Sequence, residues 1–200
     1  MQKLTLKKAF PYILIIGGII GLICSFTLTY DTQQIALNPS YQPSCNLNPI
    51  ISCGNIAKSA QGTIIGNIPN PWWGMMAFPV VITLGVVLLA GGTFKRWFWL
   101  AVQGGATLGV IAVHWFFYQS VYTLNELCPF CLGVWAVTIP LFWYTTLYNF
   151  DQGILKLPKD SWQKVAGFAR QHHIDLLVLW ILIIAALILK HFWYYYGHYF

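Results

Sequence analysis

Four of the five cysteines fall into two pairs whose spacing suits thiol–disulfide chemistry. Cys128 and Cys131 form a Cys-x-x-Cys motif, and residues three apart share one face of a helix, so the two sulfurs can bridge or face one partner. Pro129 is typical of the first helical turn, where its missing N–H is not needed. The positive end of the helix dipole favours a thiolate, the species that attacks a disulfide. The motif therefore predicts a reactive pair at the start of a helix.

The other pair, Cys45 and Cys53, has seven residues between its members. A disulfide between them closes a small loop. Such a pair can shuttle a disulfide between a soluble partner and the Cys128–Cys131 pair by thiol exchange. Cys24 lies alone in an apolar stretch, where a cysteine is more often a small packing residue than a reagent.

Three other interpretations of the paired cysteines remain open at this point. The four residues can form two structural disulfides, bind zinc, or match a redox motif by coincidence. A bundle in a membrane needs covalent staples less than a small secreted domain does. Paired zinc ligands are usually about two to four residues apart, and the separation of Cys45 and Cys53 does not match that pattern. We therefore predict no metal site.

The composition indicates which elements must position these cysteines. The chain has 200 residues, of which 58% are hydrophobic and 8% are charged, whereas a soluble domain carries about 25% charged residues. One soluble core of this size cannot bury so much apolar sequence. The net charge of +6 comes from basic residues in short segments between apolar stretches, so we predict no nucleic-acid binding.

Five apolar stretches reach the length of about 20 residues that a membrane-spanning helix needs. They run from Ala9 to Thr29, from Gly74 to Gly92, from Trp97 to Tyr118, from Pro129 to Tyr148 and from Leu176 to about Tyr196. The first is longer than the apolar core of a signal peptide and has no small-x-small cleavage site after it, so we expect it to remain as a helix. The sequence therefore predicts an all-α integral membrane protein with a single membrane domain over residues 1–200.

The basic residues predict the orientation of the chain. With the N-terminus inside, Lys58 and Lys190 lie outside, and the other nine basic residues lie in cytoplasmic segments. This N-in, C-out arrangement puts the loop from Tyr30 to Trp73 and the Cys-x-x-Cys motif on the external side, where disulfides persist. Residues 149–175 are then cytoplasmic, and their spacing of apolar and basic residues predicts an amphipathic helix on the inner membrane surface.

Three short segments carry a resemblance to a known family. They are Ser44 to Gly54 (SCNLNPIISCG), Ile68 to Gly74 (IPNPWWG) and Leu127 to Leu132 (LCPFCL). In the order, spacing and predicted topology of these segments, the chain resembles bacterial members of the vitamin K epoxide reductase family over roughly residues 8–148. The resemblance implies a four-helix transmembrane bundle around a quinone, capped by the external loop. It implies that the fifth transmembrane helix, residues 176–200, lies outside the bundle core.

The resemblance also implies a function. Bacterial members are DsbB-like enzymes of the inner membrane that reoxidise a thioredoxin-like extracytoplasmic protein, pass its electrons to ubiquinone or menaquinone, and so support disulfide bond formation. Because the chain ends at Phe200, shortly after its fifth helix, we expect the partner to be a separate, DsbA-like protein. Two alternatives stay open. The same cysteines can reduce vitamin K quinone or its epoxide, or the protein can be a non-catalytic scaffold with two fixed disulfides.

The matching positions imply a role for each paired cysteine. Cys45 and Cys53 correspond to the shuttle pair that meets the partner. Cys53 then passes electrons to Cys128, and Cys131, one helical turn deeper, faces the quinone.

Other side chains are candidates for binding the quinone or joining helices. Asn70 matches the family position whose amide hydrogen-bonds a quinone carbonyl, although an asparagine before Pro71 can instead cap the second helix. Trp135 stands where vertebrate enzymes place a tyrosine that bonds the quinone. Its ring can stack and its indole N–H can donate, or it can simply pack between helices. Gln103 and His114 predict interhelical hydrogen bonds, with a proton path through His114 as the alternative.

Overall fold

The computed structural model describes residues 2–38, 40–46, 48, 50–63, 68–155 and 160–197. Leu47 and Pro49 of the cysteine-loop motif, and the cytoplasmic-loop residues Lys156 and Lys159, lie outside the described residues. The helical elements in chain order are α1 (Gln2–Leu37), α2 (Cys53–Lys58), a 3₁₀ turn (Ala60–Gly62), α3 (Asn70–Leu89), α4 (Arg96–Tyr118), a π-helical turn (Gln119–Leu124), α5 (Pro129–Asp151), α6 (Asp160–Gln171), α7 (His173–His191) and α8 (Trp193–Tyr196).

Within the part of the chain that the structure describes, five helices are long and apolar enough to cross a membrane: α1, α3, α4, α5 and α7. This confirms the prediction of an all-α membrane protein with five spanning helices. α1 packs along α3 and α5, and α4 packs along α5, which builds the four-helix bundle. At one end of the bundle the ring of Phe10 stacks on Tyr148 with 4.4 Å between centroids, and Trp99 packs against both.

Glycines allow α1 and α3 to pack closely. A Cβ at Gly85 of α3 would lie 2.8 Å from the carbonyl oxygen of Pro11, and a Cβ at Gly18 of α1 would lie 2.6 Å from Ile82. Helices in a membrane associate largely through such close packing, because lipid provides no hydrophobic driving force between them. Small residues on both helices therefore specify the α1–α3 contact.

α1 is longer than the sequence predicts, since it ends at Leu37 and not near Thr29. The hydroxyl of Thr32 donates to the carbonyl of Leu28 over 2.7 Å, which satisfies a polar side chain without ending the helix. Asp31 is buried in this extension. The external loop is correspondingly shorter than predicted and begins after α1.

The predicted short loop from Gln119 to Leu127 is also largely helical. A π-helical turn continues α4 to Leu124, and Asn125 ends it with φ 55°, in the left-handed region that asparagine tolerates. The N–H of Glu126 then donates to the carbonyl of Ser120 over 3.0 Å. A single wide turn of this kind does not follow the usual helical period, so the apolar pattern did not predict it.

The polar residues of α4 join helices, as predicted. Gln103 donates to Thr146 of α5 over 2.9 Å and accepts from the amide of Asn149 over 2.9 Å. His114 is bonded to Trp180 of α7. These contacts fix the rotation of α4 relative to its neighbours, because buried polar groups in a membrane must be paired.

α7 lies beside the bundle, as the resemblance implies, and its contacts reach the region of the predicted site. Ile184 is buried in a cluster that contains Trp135 of α5. Phe192, which follows α7, is fully buried against Ile50 and Leu127. The fifth spanning helix therefore supports both the bundle and the external loop.

The amphipathic helix predicted within residues 149–175 is α6. Val165 and Phe168 are exposed, whereas Ala166 is buried. Arg170 forms a salt bridge of 2.8 Å with Asp151 at the end of α5. The location of α6 on the inner membrane surface stays a prediction, as do the domain bounds.

Candidate thiol relay site

A parallel backbone bridge joins the external loop to the start of α5. Ile51 pairs with Leu127. The N–H of Leu127 donates to the carbonyl of Ile50 over 2.7 Å, and the N–H of Ser52 donates to the carbonyl of Leu127 over 3.0 Å. Each of the two bridged segments is followed immediately by a cysteine, so the bridge brings those two cysteines side by side.

The sulfur atoms of three cysteines are neighbours at this junction. Cys45 and Cys53 form a disulfide, and the Sγ of Cys128 lies 3.2 Å from the Sγ of Cys53. Cys128 and Cys131 are free thiols within the described residues. Cys128 is buried and Cys131 is half-buried. The structure thus brings the two predicted pairs into one cluster.

Side-chain amides hold the loop in place around the disulfide. The Oδ1 of Asn46 accepts hydrogen bonds from the backbone N–H groups of Cys53 and Gly54, each over 3.0 Å. The Nδ2 of Asn55 donates to the carboxylate of Glu126 over 2.7 Å, which ties the loop to the segment before α5. No role was predicted for these two asparagines, although the tendency of asparagine side chains to hydrogen-bond nearby backbone groups is a signal for one.

Cys128 occupies the N-cap position of α5, and Pro129 is in the first turn, as the motif predicts. The sulfur of Cys128 accepts a hydrogen bond from the backbone N–H of Cys131 over 3.3 Å. A hydrogen bond from the Cys131 thiol is the largest cause that lowers the pKa of Cys128, and N–H groups of Cys131 and Phe130 act in the same direction against the effect of burial. Cys128 is therefore the better nucleophile of the Cys128–Cys131 pair near neutral pH.

A cavity of about 660 Å³ lies inside the bundle, next to the cysteines. Its wall is mostly apolar and comes from α1, α3, α4, α5 and the external loop. Of the predicted site residues, Cys53, Asn70, Cys128, Cys131 and Trp135 line it. Its volume is in the range of small-molecule sites, about 300–1,000 Å³. The cysteine cluster is thus in contact with a space that can hold an organic ligand.

The model of the vitamin K epoxide reductase family matches residues 12–146. This match covers about two thirds of the chain, including all five cysteines and most of the four bundle helices. The chain belongs to the vitamin K epoxide reductase family. Members of the family are oxidoreductases that use thiols to reduce a quinone or an epoxide. Together with the five spanning helices, the match identifies a multi-pass membrane protein.

The cavity fits the quinone that proteins of the vitamin K epoxide reductase family use. Trp135 is 7% exposed, and its buried Nε1 has no hydrogen-bond partner among the described residues. A buried donor that stays unpaired lowers the stability of a protein by about 1–3 kcal/mol. A quinone carbonyl would supply the missing acceptor, and the apolar wall would suit the ring. The donor role of Trp135 stays a prediction that this unpaired group supports.

Asn70 also lines the cavity, and its amide Nδ2 donates to the backbone carbonyl of Gln61 over 2.6 Å. Asn70 does not occupy the N-cap position of the second spanning helix that the alternative gave it, because Pro69 is the N-cap of α3 and α3 begins at Asn70. Asn70 instead ties the 3₁₀ turn of the external loop to the start of α3. Its contact with a quinone stays a prediction.

Asp31, for which the sequence predicted no role, is a buried carboxylate beside the loop disulfide. Its Oδ1 accepts a hydrogen bond from the hydroxyl of Tyr41 over 2.9 Å, and its Oδ2 lies 4.0 Å from the Sγ of Cys45. The hydrogen bond to Asp31 is the largest cause that raises the pKa of Tyr41. An acidic residue next to an apolar stretch is the signal that identifies such a group, because ionisable residues in membrane helices are usually functional.

Proposed function

We propose that this protein is a quinone-dependent thiol–disulfide oxidoreductase. It reoxidises a separate, thioredoxin-like extracytoplasmic protein and passes the electrons to ubiquinone or menaquinone, which supports disulfide bond formation. The observation that carries the proposal is the 3.2 Å between the sulfurs of Cys53 and Cys128. This contact joins the loop disulfide to the thiol pair that lines the cavity, so disulfide exchange has a continuous path from the external loop to the bundle interior.

The first exchange takes place in the loop. A partner thiolate attacks the Sγ of Cys45, the Cys45–Cys53 bond breaks, and Cys53 leaves as a thiolate. The second thiolate of the partner attacks the mixed disulfide, so the partner departs oxidised and Cys45 is released. Cys45 is 6% exposed, so the loop must move outward to admit the partner. Local opening of this kind costs little free energy where a loop segment is held by side-chain hydrogen bonds such as those of Asn46.

The second exchange carries the electrons inward. The Cys53 thiolate attacks Cys128 in the oxidised Cys128–Cys131 pair, and Cys131 leaves as a thiolate. Cys45 then attacks Cys53, which restores the loop disulfide and releases Cys128. The products of this exchange are a loop disulfide and two free thiols, the same bonding pattern that the structure contains.

A bound quinone supplies the oxidising power, because it accepts two electrons and two protons. Trp135, whose buried indole N–H is unpaired among the described residues, would donate a hydrogen bond to a carbonyl of that quinone. Asn70 holds the loop against α3 at the rim of the same cavity. The apolar wall keeps water away from the thiols, which strengthens each of these hydrogen bonds.

We also propose an N-in, C-out orientation in the bacterial inner membrane, with the four paired cysteines on the extracytoplasmic side. The distribution of basic residues is the main support. A second support is the hydrogen bond of 2.8 Å between His191 and Asn125, because it puts the end of α7 on the same side as the cysteines. After five spans, the start of α1 then lies on the opposite side.

Two alternatives to the proposed function are tested by the same experiment. Reduction of vitamin K epoxide is favoured by the family description and needs the same cysteines. A scaffold with two fixed disulfides is disfavoured by the free thiols of Cys128 and Cys131.

The test is quinone reduction by purified protein in detergent, followed by quinone absorbance, with a reduced thioredoxin-like protein or a small dithiol as the donor. We expect turnover by the wild type, loss of turnover in Cys131→Ser, and wild-type turnover in the matched control Cys24→Ser. A parallel reaction with vitamin K epoxide identifies the epoxide reductase alternative. If the folded wild type reduces neither ubiquinone nor menaquinone analogues, the proposal is wrong.

A further inference from the structure

We propose that Asp31 accepts the thiol proton of Cys45 in the step that regenerates the loop disulfide. The inference rests on the proposed function and adds a catalytic residue to it. In the disulfide form, where the Sγ of Cys45 carries no proton, the Oδ2 of Asp31 lies 4.0 Å from that sulfur, so the carboxylate is positioned next to the thiol that forms on reduction. Asp31 is 4% exposed, so this contact is made in a place where bulk water does not compete.

The regeneration step requires a base. Cys45 must be a thiolate to attack the Cys53–Cys128 bridge, and a thiol with an ordinary pKa of about 8.5 is mostly protonated near neutral pH. Burial and a neighbouring carboxylate charge both disfavour the thiolate further. A proton acceptor in contact with the sulfur removes this difficulty, because the carboxylate takes the proton as the sulfur attacks.

The step balances without an added oxidant. The proton of Cys45 moves to the Oδ2 of Asp31, the Cys45 sulfur bonds to the Sγ of Cys53, and the Cys53–Cys128 bond breaks. Cys128 leaves as a thiolate that accepts the hydrogen bond from the N–H of Cys131. In the earlier step, when the partner releases Cys45, protonated Asp31 returns the proton. One disulfide is broken for each disulfide formed.

The surroundings of Asp31 fit a proton acceptor better than a structural ion pair. The structure shows no salt bridge to Asp31 from the residues it describes, although a buried carboxylate is costly without a cation. Tyr41 donates to the other oxygen, Oδ1, and leaves Oδ2 directed at Cys45. The titratable groups around this carboxylate are Tyr41 and Cys45 of the loop, Tyr30 of α1 and Cys128 at the start of α5. Tyr41 is a positioning residue in this arrangement.

The experiment follows the Cys53–Cys128 bridge during turnover with a reduced donor. Samples are quenched in acid, alkylated, and analysed by peptide mass spectrometry. Asp31→Asn is isosteric and still accepts the hydrogen bond from Tyr41. We expect it to accumulate the bridge, because regeneration near neutral pH slows about 30-fold when only the ionised fraction of an ordinary thiol can react. The defect should shrink about tenfold for each unit of pH increase up to the thiol pKa.

The direction in which Asp31→Asn changes the amount of Cys53–Cys128 bridge distinguishes a role of Asp31 as a base from a purely electrostatic role. Asparagine removes a negative charge, so a purely electrostatic role of Asp31 predicts faster regeneration and less bridge. That result, or a bridge level and pH profile equal to those of the wild type, would overturn the proposal. Asp31→Glu keeps a base and should restore the pH-independent rate, and Tyr41→Phe should slow regeneration only about fivefold with the pH profile unchanged.

Cys45→Ser is the reference variant, because it cannot regenerate the loop disulfide and should trap the bridge completely. If Cys45→Ser forms no bridge, the proposed function itself is wrong. If Cys45→Ser traps the bridge and Asp31→Asn behaves like the wild type, only the role of Asp31 is wrong.

Discussion

The indole N–H of Trp180 in α7 donates to the Nε2 of His114 in α4 over 3.1 Å, and the Nδ1 of the same histidine lies 2.7 Å from the carbonyl of Val110. A carbonyl oxygen only accepts, so Nδ1 carries the proton and Nε2 is the acceptor. Both nitrogens of a neutral His114 are therefore engaged. This geometry favours the interhelical hydrogen bond over a proton path through His114.

Trp180→Phe keeps the ring and removes the donor. We expect it to lower the free energy of unfolding by about 1–2 kcal/mol, because the Nε2 of His114 is left unpaired, and to leave quinone turnover unchanged. Thermal unfolding in detergent measures the first effect, with the exposed Trp193→Phe as the control. Lost turnover at unchanged stability would instead support the proton path.

Cys131→Ser should trap a disulfide between Cys53 and Cys128. Without Cys131, the Cys128 thiolate still attacks the neighbouring Cys53, the Cys45–Cys53 bond breaks and Cys45 leaves as a thiolate. Only Cys45 can then reverse the exchange, so alkylation of its free thiol at the quench holds the bridge. Non-reducing peptide mass spectrometry detects the bridged peptide. Cys24→Ser should show none, and a Cys131→Ser protein with only the Cys45–Cys53 bridge would contradict the relay.

Trp135→Phe tests the quinone contact. The substitution keeps an aromatic ring in the cavity and removes the unpaired N–H, so we expect the KM for quinone to rise about fivefold from the loss of one hydrogen bond. Stability should not fall, since the donor has no partner among the described residues. A reduced Tm with an unchanged KM would show that Trp135 only packs.

Phe192→Ala tests the support that α7 gives to the loop. Phe192 is fully buried against Ile50 and Leu127, and truncating a buried phenylalanine costs about 3–5 kcal/mol. We expect a lower Tm and slower formation of the Cys53–Cys128 bridge, measured in the Cys131→Ser protein. The matched control is Trp193→Ala, whose side chain is exposed. Equal effects of the two substitutions would disprove the specific role of Phe192.

The lowered pKa of Cys128 predicts how its reactivity depends on pH. Because the Cys131 thiol is the largest cause of the lowering, Cys128 stays a thiolate to lower pH than an ordinary thiol, and its reactivity falls as the pH drops through the lowered pKa. Cys131→Ala should shift the thiolate titration to higher pH. The measurement is ultraviolet thiolate absorbance, with Cys24, Cys45 and Cys53 replaced by serine in both the reference protein and the Cys131→Ala variant. An unchanged midpoint would rule out the contribution of Cys131.

Local features of the sequence predicted the helical architecture. The length and apolarity of each stretch predicted the five spanning helices, and Pro129 after Cys128 predicted the start of α5. Such features depend on neighbours within a few turns. The ends were less predictable. α1 continues to Leu37, and α4 continues through a π turn to Leu124. At the C-terminal end of each helix, hydrogen bonds extend the helical backbone beyond the apolar stretch of sequence that predicted it.

The sequence by itself determined the chemistry that is available. It predicted a cysteine with a lowered pKa at the start of a helix and a second cysteine pair in an external loop. Its resemblance to a known family implied a bundle with room for an apolar ligand. The tertiary structure decided which groups meet. Cys53 lies against Cys128 because Ile51 pairs with Leu127, and Asp31 lies against Cys45 because the loop folds back on α1. Spacing along the chain cannot specify these contacts, because they join segments far apart in sequence through the packing of whole helices.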